Sequence, residues 1–179
     1  MRLFIAVNFD QKVKDSISRV RDDLAALAES CRPTRSENLH LTLAFLGEHP
    51  PSALPRIRRA MEKAVGRSFE LTLSGVGRFR RREGDILWMG VEHNPHLWAL
   101  AEELGRRLME EGFPARDNEF KPHITLCRNA RMPSSFDPSA LARQKLRQRV
   151  DRIYLMESSR IKGVLTYTPL LSVSLKPEE

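Results

Sequence analysis

Residues 38–46 read NLHLTLAFL and residues 121–127 read KPHITLC, and both stretches contain the same four-residue pattern. The pattern is His, aliphatic, Thr, Leu, and it occurs at His40–Leu43 and again at His123–Leu126. The two copies are separated by about half of the 179-residue chain. This separation predicts two structurally related halves rather than a short tandem repeat.

Each copy has the alternation of a β-strand. In a strand, residues i and i+2 point to the same face, so His40 shares a face with Thr42, and His123 shares a face with Thr125. The aliphatic residues between them point to the opposite face, which can pack against helices. If the two strands belong to sheets that face each other, two histidines and two threonines converge on one cleft.

This set of side chains suits the opening of a cyclic phosphodiester, a reaction that needs a base to activate water and an acid to protonate the departing ribose oxygen. Histidine titrates near neutral pH, so one imidazole can be neutral while the other is charged. Hydroxyl groups and cations stabilise phosphate oxygens as charge grows on them. Thr42 and Thr125 supply hydroxyls, and Arg128 is a candidate cation whose direction strand alternation leaves open.

Two other interpretations of the histidines are weaker. A single His-x-Thr sequence is most simply a hydrogen-bonded strand residue, but two copies with matching aliphatic neighbours favour a functional pair. A zinc site normally adds a further His, Cys or carboxylate ligand. The sequence has no His-Glu-x-x-His motif and no carboxylate two residues from His40 or His123. We therefore predict neither a metal ion nor another cofactor.

Strand and helix patterns alternate irregularly along the rest of the chain. Apolar residues at a spacing of two predict strands at residues 3–9, 38–46, 69–73, 86–91, 121–127, 150–157 and 167–175. Apolar stripes at helical spacing predict helices from Val13 to Leu27, from near Ser52 to Val65, from near Pro95 to a cap at Gly112, and over Ser139–Leu146. Residues 75–84 are predicted to form a loop. This order favours an α+β fold with mostly antiparallel pairing.

Composition and length predict one soluble domain over residues 1–179, built from two lobes. Hydrophobic residues make up 41% of the sequence, which is enough for a core. The start of the chain shows no signal-peptide pattern, and no apolar run reaches transmembrane length. The two cysteines, Cys31 and Cys127, fit a reducing compartment better than a disulfide framework. We expect a cytoplasmic monomer without membrane contact.

A net charge of +7 leaves two interpretations open. Basic proteins favour anionic partners such as nucleic acid, but the charge also fits a merely basic surface. The predicted loop at residues 75–84 concentrates four arginines, which are Arg78, Arg80, Arg81 and Arg82. They either follow an RNA backbone or form a solvated turn.

Several other residues have weaker claims to function. Phe4 and Phe45 are expected to pack in the core rather than stack on a base. Cys127 is predicted to share the face of His123 as a small, partly buried residue rather than a reactive thiol. The remaining candidates are expected to have structural roles, with Trp88 and Trp98 in the core and His49, His93 and His96 at the surface or at helix caps.

With these motifs the chain resembles the two-histidine phosphoesterase superfamily, and within it the RNA 2′,3′-cyclic phosphodiesterases that are also called 2′-5′ RNA ligases. The resemblance extends over nearly the whole chain. Besides the first motif in ENLHLTLAFLG (37–47) and the second in FKPHITLCR (120–128), it includes RLFIAV (2–7), GRF (77–79), ILWMGV (86–91) and YLMESSRIKGVLTYTPLLSVSL (154–175).

The resemblance implies a bilobal α+β fold in which two antiparallel sheets face a central cleft, with helices on the outer faces and a pseudo-two-fold relation between the lobes. It implies metal-independent hydrolysis of 2′,3′-cyclic phosphates on RNA ends to 2′-phosphates. By motif, His40 would be the proton donor and His123 the proton acceptor, while Thr42 and Thr125 would bind phosphate. The substrates expected are RNA ends, tRNA fragments among them, or cyclic nucleotides.

Three alternatives to hydrolysis remain at this point. The family also joins RNA ends through 2′-5′ linkages, the reverse direction of the same chemistry. A non-catalytic protein that binds RNA ends would use the same cleft without needing both imidazoles. A sister activity, such as trimming RNA 3′ ends or cleaving 2′-5′ oligoadenylates, would keep the same residues.

Overall fold

The computed structural model describes residues 1–114, 118–141 and 144–178. These residues form two antiparallel β-sheets, three α-helices and three single turns of 3-10 helix. The α-helices are α1 (Gln11–Leu27), α2 (Leu54–Ala64) and α3 (Pro95–Glu110), and the 3-10 turns cover Ser36–Asn38, Pro51–Ala53 and Pro138–Ala140. The α+β fold expected from the order of the patterns is confirmed.

The strands divide into two sheets that meet at the two motifs. In chain order they are β1 (Arg2–Asn8), β2 (Ser30–Pro33), β3 (His40–Glu48), β4 (Phe69–Phe79), β5 (Asp85–Val91), β6 (His123–Arg131), β7 (Leu146–Val150), β8 (Arg152–Ile161) and β9 (Val164–Ser174). Sheet 1 has the order β3-β1-β8-β9, and sheet 2 has the order β2-β6-β5-β4-β7. The motif strands β3 and β6 contact each other across the two sheets. The predicted pair of antiparallel sheets is confirmed.

The aliphatic residues of both motifs anchor their strands in the core. Leu41, Leu43, Ile124 and Leu126 are all buried in one continuous hydrophobic cluster. The helices cover the sheets on this side, with α1 against β6 and β7, α3 against β3, and α2 against α3 and β9. The described residues contain no helix that is both long and apolar enough to cross a membrane.

A β-bulge occurs at the same point of each motif. In β3, Thr42 pairs with Ala6 and Ala44 pairs with Ile5, so the register with β1 shifts by one residue between these pairs. In β6, Thr125 pairs with Trp88 and Cys127 pairs with Leu87, so the register with β5 shifts at the equivalent position. A bulge inserts one extra residue and resets the alternation of side chains.

The bulges decide where the residues after each motif point. Ala44 and Cys127 turn into the core, whereas Phe45 and Arg128 turn to the face that carries the histidines. The prediction that Cys127 shares the face of His123 is therefore wrong. Burial raises the pKa of its thiol to about 12, with Cys31 adding to the effect. A thiol with so high a pKa stays protonated and unreactive at neutral pH.

The loop predicted from residue 75 to residue 84 is shorter than expected, because β4 continues to Phe79. Gly75, with φ +77, lies where the register with β5 shifts, so this glycine marks a bulge inside the strand. Gly77 pairs with Trp88, whose indole lies across its backbone. Gly75 and Gly77 therefore mark a bulge and a close contact within β4 rather than a loop. Only residues 80–84 connect β4 to β5.

The last third of the chain departs from the sequence prediction in two further ways. The segment predicted as one strand over residues 150–157 belongs to two strands, with β7 in sheet 2, β8 in sheet 1 and Asp151 between them. The short helix predicted over Ser139–Leu146 is also wrong where it is described, because the 3-10 turn ends at Ala140 and Leu146 begins β7. Residues 142 and 143 of that prediction lie outside the described residues.

The contact between Gly77 and Trp88 makes a testable prediction about stability. A Cβ atom at Gly77 would lie 2.2 Å from the Trp88 ring, so Gly77→Ala must displace the indole and should destabilise the fold by about 1–3 kcal/mol. Urea denaturation measures this change. Gly105→Ala is the matched control, because Gly105 lies in α3 with no atom within 4 Å of its added Cβ. That variant should gain about 0.5–1 kcal/mol.

Candidate active site

A cleft of about 560 Å³ lies between the two sheets and collects the residues singled out by the motifs. It is lined by Arg2, Phe4, His40, Thr42, Phe45, His123, Thr125, Arg128, Ser158, Ser159, Arg160, Leu165 and Tyr167. All five site residues predicted from the sequence are in this set. None of the histidines outside the motifs lines the cleft, which agrees with the structural roles predicted for them.

The two motif histidines are held in the same way. The Nδ1 atom of His40 lies 2.7 Å from the Asn38 carbonyl oxygen, and the Nδ1 atom of His123 lies 2.7 Å from the Lys121 carbonyl oxygen. A carbonyl only accepts a hydrogen bond, so each Nδ1 carries the hydrogen and donates it. Each neutral imidazole therefore keeps Nε2 as its basic nitrogen. On the first histidine, Nε2 accepts a hydrogen bond of 2.9 Å from the hydroxyl of Thr42.

Aromatic rings flank both histidines. The His40 ring lies 4.8 Å from Phe4 and 5.1 Å edge-on to Tyr167. The His123 ring lies 5.1 Å edge-on to Phe79 and 6.4 Å from Trp88. Phe4 is buried, as expected, but it lies on the cleft side of β1, and Trp88 flanks the site instead of filling the core. The alternation of β1 indicates that Phe4 faces the cleft, because Leu3, Ile5 and Val7 occupy the core face of this strand.

Asn38 is a buried polar residue that the sequence did not single out. Its side chain donates to the Leu165 carbonyl oxygen at 3.0 Å and accepts from the Tyr167 backbone N–H at 3.3 Å. It thereby joins the start of β3 to β9, and its own carbonyl holds His40. The sequence offers no signal for this role beyond the position of Asn38 two residues before the histidine.

Burial sets the protonation of both histidines. It lowers the pKa of His40 from 6.5 to about 4, with Arg128 and His123 adding to the effect and the hydrogen bond to Asn38 opposing it. Burial also lowers the pKa of His123, again with a contribution from Arg128. Low pKa values favour neutral imidazoles at neutral pH. A phosphodiester anion between the rings adds a negative charge, which favours the imidazolium form and raises both pKa values.

The walls of the cleft are positively charged. Arg2, Arg128 and Arg160 line it, and no Asp or Glu is found among the described residues of its lining. Phe45 is 60% exposed at the mouth, where the guanidinium of Arg2 lies 5.1 Å from its ring. The prediction that Phe45 packs in the core is wrong, because the bulge in β3 turns this ring outward. The cleft therefore suits an anionic ligand that also carries a flat, apolar part.

Within residues 1–114, 118–141 and 144–178, no group of three or more His, Cys, Asp or Glu side chains is placed to hold a metal ion.

The four arginines of the predicted basic loop divide into two kinds. Arg78 lies in β4 with its Nε atom 3.0 Å from an Asp85 carboxylate oxygen, and this ion pair is largely buried. Arg80, Arg81 and Arg82 are exposed in the turn between β4 and β5.

A family model described as the 2′-5′ RNA ligase superfamily matches residues 9–162. The chain belongs to this superfamily. An RNA 2′,3′-cyclic phosphodiesterase of Escherichia coli is 32% identical over 174 residues, which cover 94% of this chain and 93% of that protein. One of Thermotoga maritima is 34% identical over 140 residues, which cover 76% of this chain and 74% of that protein.

Two solved structures share the whole fold. The crystal structure of Escherichia coli LigT complexed with 3′-AMP matches with a TM-score of 0.81 at 29% identity and covers 97% of both chains. A crystal structure of a protein from Thermus thermophilus matches with a TM-score of 0.84 at 28% identity and covers 100% of both chains. The resemblance predicted from the two motifs is confirmed.

The two motif histidines, both half-buried, should titrate below the ordinary histidine range. We expect the pKa of His40 to be about 4 and that of His123 to be lowered, mainly because burial disfavours the charged rings. NMR titration of the imidazole carbons measures both, with His40→Asn and His123→Asn variants to assign the signals. Inorganic phosphate should raise both pKa values. Ordinary pKa values near 6.5 for both His40 and His123 would contradict this prediction.

The same shift has a consequence for stability. The unfolded chain binds a proton at His40 as the pH falls through 6.5, whereas the folded chain binds it only near pH 4. The contribution of His40 to stability is therefore fully present above pH 6.5 and is lost as the pH falls toward 4, because the unfolded state binds more protons at this residue in this window. A His40→Asn variant should show a weaker dependence of the free energy of unfolding on pH in this interval.

Proposed function

We propose that this chain hydrolyses 2′,3′-cyclic phosphates on RNA ends to 2′-phosphates by metal-independent acid–base catalysis. One observation carries the proposal: two imidazoles, each anchored through Nδ1 to a backbone carbonyl, line one cleft beside two threonine hydroxyls. His40 is the proton donor and His123 the proton acceptor. The names of the relatives in Escherichia coli and Thermotoga maritima support the same reaction.

The two histidines act on opposite sides of phosphorus. Neutral His123 takes a proton from water through Nε2, and the water oxygen attacks phosphorus in line with the 3′ oxygen. Protonated His40 gives its Nε2 proton to that oxygen as the bond to phosphorus breaks. The 2′ ester remains, so the product carries a 2′-phosphate and a free 3′-hydroxyl. General acid–base catalysis of this kind typically contributes about 10²–10⁴-fold in rate.

Thr42, Thr125 and Arg128 bind the phosphate oxygens in this proposal. Both threonines line the cleft on the face of the histidines, and the bulge in β6 turns Arg128 to the same side. The charge on Arg128 has two opposing effects. It holds the pKa values of both histidines down, yet it stabilises the anionic substrate whose charge raises them. The site therefore gains its protonated donor together with its substrate.

The exact substrate, the location in the cell and the oligomeric state of this protein are predictions. We expect RNA ends, tRNA fragments among them, or cyclic nucleotides as substrates, and a cytoplasmic monomer. Escherichia coli LigT has a crystal structure in complex with 3′-AMP, and this nucleotide complex of a similar protein supports a nucleotide ligand. A protein that only binds RNA ends requires neither the neutral base nor the protonated acid, so turnover separates it from the enzyme. The sister activities are separated by the product each leaves.

Turnover should need both motif histidines. Each His→Ala change at position 40 or 123 should reduce the rate on a nucleoside 2′,3′-cyclic phosphate by about 10²–10⁴-fold, because acid and base are separate groups. Thr42→Ala and Thr125→Ala should cost less, since losing one neutral hydrogen bond leaves the proton transfers intact. The exposed His96→Ala variant is the control. Near-full activity without either motif histidine would refute this mechanism.

Chelation should leave the same assay unchanged. The proton transfers run between water, the two histidines and the ribose oxygen, so the proposed mechanism assigns no step to a metal ion. We expect equal rates with and without EDTA, measured on the same protein sample. Loss of activity in EDTA and its recovery on adding zinc or manganese would show that a metal ion takes part.

The product and the pH profile test the assigned roles. Chromatography against 2′- and 3′-phosphate standards should show only the 2′-phosphate. The rate should be bell-shaped in pH, because one group must be neutral and the other protonated. Both limbs of kcat/KM should lie at lower pH than those of kcat, since the bound anion raises the pKa values that burial lowers. A 3′-phosphate product would mean that the 2′ oxygen leaves and that the geometry assigned to the two histidines is reversed. A rate that only rises with pH would show that no protonated donor is needed.

A further inference from the structure

A second groove begins where the catalytic cleft ends in sheet 2. It has a volume of about 410 Å³ and is lined by Arg81, Arg82, Glu83, Gly84, Ile86, Arg128 and Asn129. Arg128 is the residue that the groove shares with the cleft. The groove is therefore continuous with the phosphate-binding residues but lies wholly on the lobe that carries His123.

The floor of this groove has an unusual backbone. Gly84 has φ +122 and Asn129 has φ +50, both in the region that L side chains rarely adopt. A Cβ atom at Gly84 would lie 2.7 Å from the Asn129 backbone, so only glycine permits this approach of the turn to β6. Strained backbone of this kind persists where surrounding structure holds it, and it is frequent at binding sites.

The arginines in and beside the groove differ in whether a carboxylate already binds them. Arg78, on the preceding strand, is committed to its buried ion pair with Asp85. Arg81 and Arg82 are exposed, and neither forms an ion pair with a carboxylate of the described residues. Glu83 is the one acidic side chain in the lining, against three arginines. The groove therefore keeps a positive balance that suits a phosphodiester backbone.

A chain of ring contacts connects the groove to the second histidine. The guanidinium of Arg81 lies 5.6 Å from the centre of the Phe79 ring, and that ring lies 5.1 Å from the ring of His123. The guanidinium of Arg81 and the ring of the proposed base therefore both contact the same Phe79 ring. A strand whose end reached His123 would place its first internucleotide phosphate near Arg81 and Arg82.

The in-line geometry assigns the two sides of the site to different reactants. The leaving 3′ oxygen and its ribose must lie toward His40, where β1, β3, β8 and β9 supply most of the cleft lining. The attacking oxygen lies on the opposite side of phosphorus, toward His123. In hydrolysis this oxygen belongs to water. In the ligation direction it belongs to the 5′-hydroxyl of a second RNA strand.

We propose that the groove at Arg81, Arg82 and Asn129 is the binding site for the RNA strand that brings a 5′-hydroxyl to the cyclic phosphate, an inference that rests on the function proposed above. His123 takes the proton of the 5′-hydroxyl, and the 5′ oxygen forms a bond to phosphorus. The bond from phosphorus to the 3′ oxygen breaks, and His40 protonates that oxygen. The product is a 2′-5′ phosphodiester with a free 3′-hydroxyl, and its single negative charge equals that of the cyclic phosphate.

An Arg81→Gln/Arg82→Gln double variant separates this role from hydrolysis. The donor is an oligonucleotide with a 2′,3′-cyclic phosphate end, and the acceptors are a 5′-hydroxyl dinucleotide, which has one phosphate, and a nucleoside, which has none. With the dinucleotide below saturation, joining should fall by about tenfold or more, since two charge-assisted contacts are lost. Joining to the nucleoside and hydrolysis of the donor should stay within about twofold, because neither needs those contacts.

The reverse reaction gives a second measurement. Cleavage of a 2′-5′-linked oligonucleotide to a cyclic phosphate and a 5′-hydroxyl strand passes through the same arrangement, so it should slow in the double variant. Arg19→Gln/Arg58→Gln removes two exposed arginines from α1 and α2 and is the charge-matched control. It should leave joining, cleavage and hydrolysis unchanged.

The outcomes distinguish this inference from the function on which it rests. Joining that is equally efficient in the double variant, or equally reduced with nucleoside and dinucleotide acceptors, overturns the acceptor groove. A wild-type protein that hydrolyses the cyclic phosphate but never joins the two strands overturns it as well, while the proposed hydrolysis stands. A wild-type protein that leaves the cyclic phosphate unopened overturns the proposed function itself.

Discussion

The burial of alternate aliphatic residues in β3 and β6 is the constraint from which the site follows. Leu41 and Ile124 must face the core, so the residues on either side of each must face the opposite direction. In both strands these neighbours are a histidine and a threonine, and the two strands contact each other across the sheets. Hydrophobic packing thus directs four polar groups into one cleft. The carbonyl groups before each histidine then fix which ring nitrogen is basic.

The sequence predicts this much because the information is local. Strand alternation put His40 beside Thr42 and His123 beside Thr125, and the resemblance carried by the two motifs implied the two sheets that face one cleft. The structure differs from the sequence prediction where pairing between distant strands decides which way a side chain points. A bulge depends on the register with another strand, so the orientations of Phe45, Cys127 and Arg128 were not accessible from their own alternation. The same holds for Gly77, whose role depends on the ring of Trp88 across the sheet.

Protonation in the site links structure to reaction through competing effects. Burial disfavours the charged form of both histidines, and Arg128 adds to it. In the proposed mechanism His40 is the donor, and a donor with a pKa of about 4 transfers its proton readily but is rarely protonated at neutral pH. An anionic substrate relieves this conflict, because its charge favours the imidazolium ion in the same cleft. The arginines that line the cleft attract that anion, so in the proposed mechanism protonated His40 forms most readily when a cyclic phosphate is bound and its 3′ oxygen is ready to accept the proton.

The strand order of sheet 1 leaves an unpaired strand edge in the nascent chain during synthesis. The strand β1 lies between β3, which follows soon after it, and β8, which begins at Arg152. While the ribosome makes the intervening residues, one edge of β1 has no pairing partner, and apolar side chains such as Phe4 stay uncovered by β8. Exposed strand edges of this kind favour misassembly and chaperone binding. The cleft is completed only when β9 brings Tyr167 beside His40, so the last strands to be made complete the surroundings of the first motif histidine.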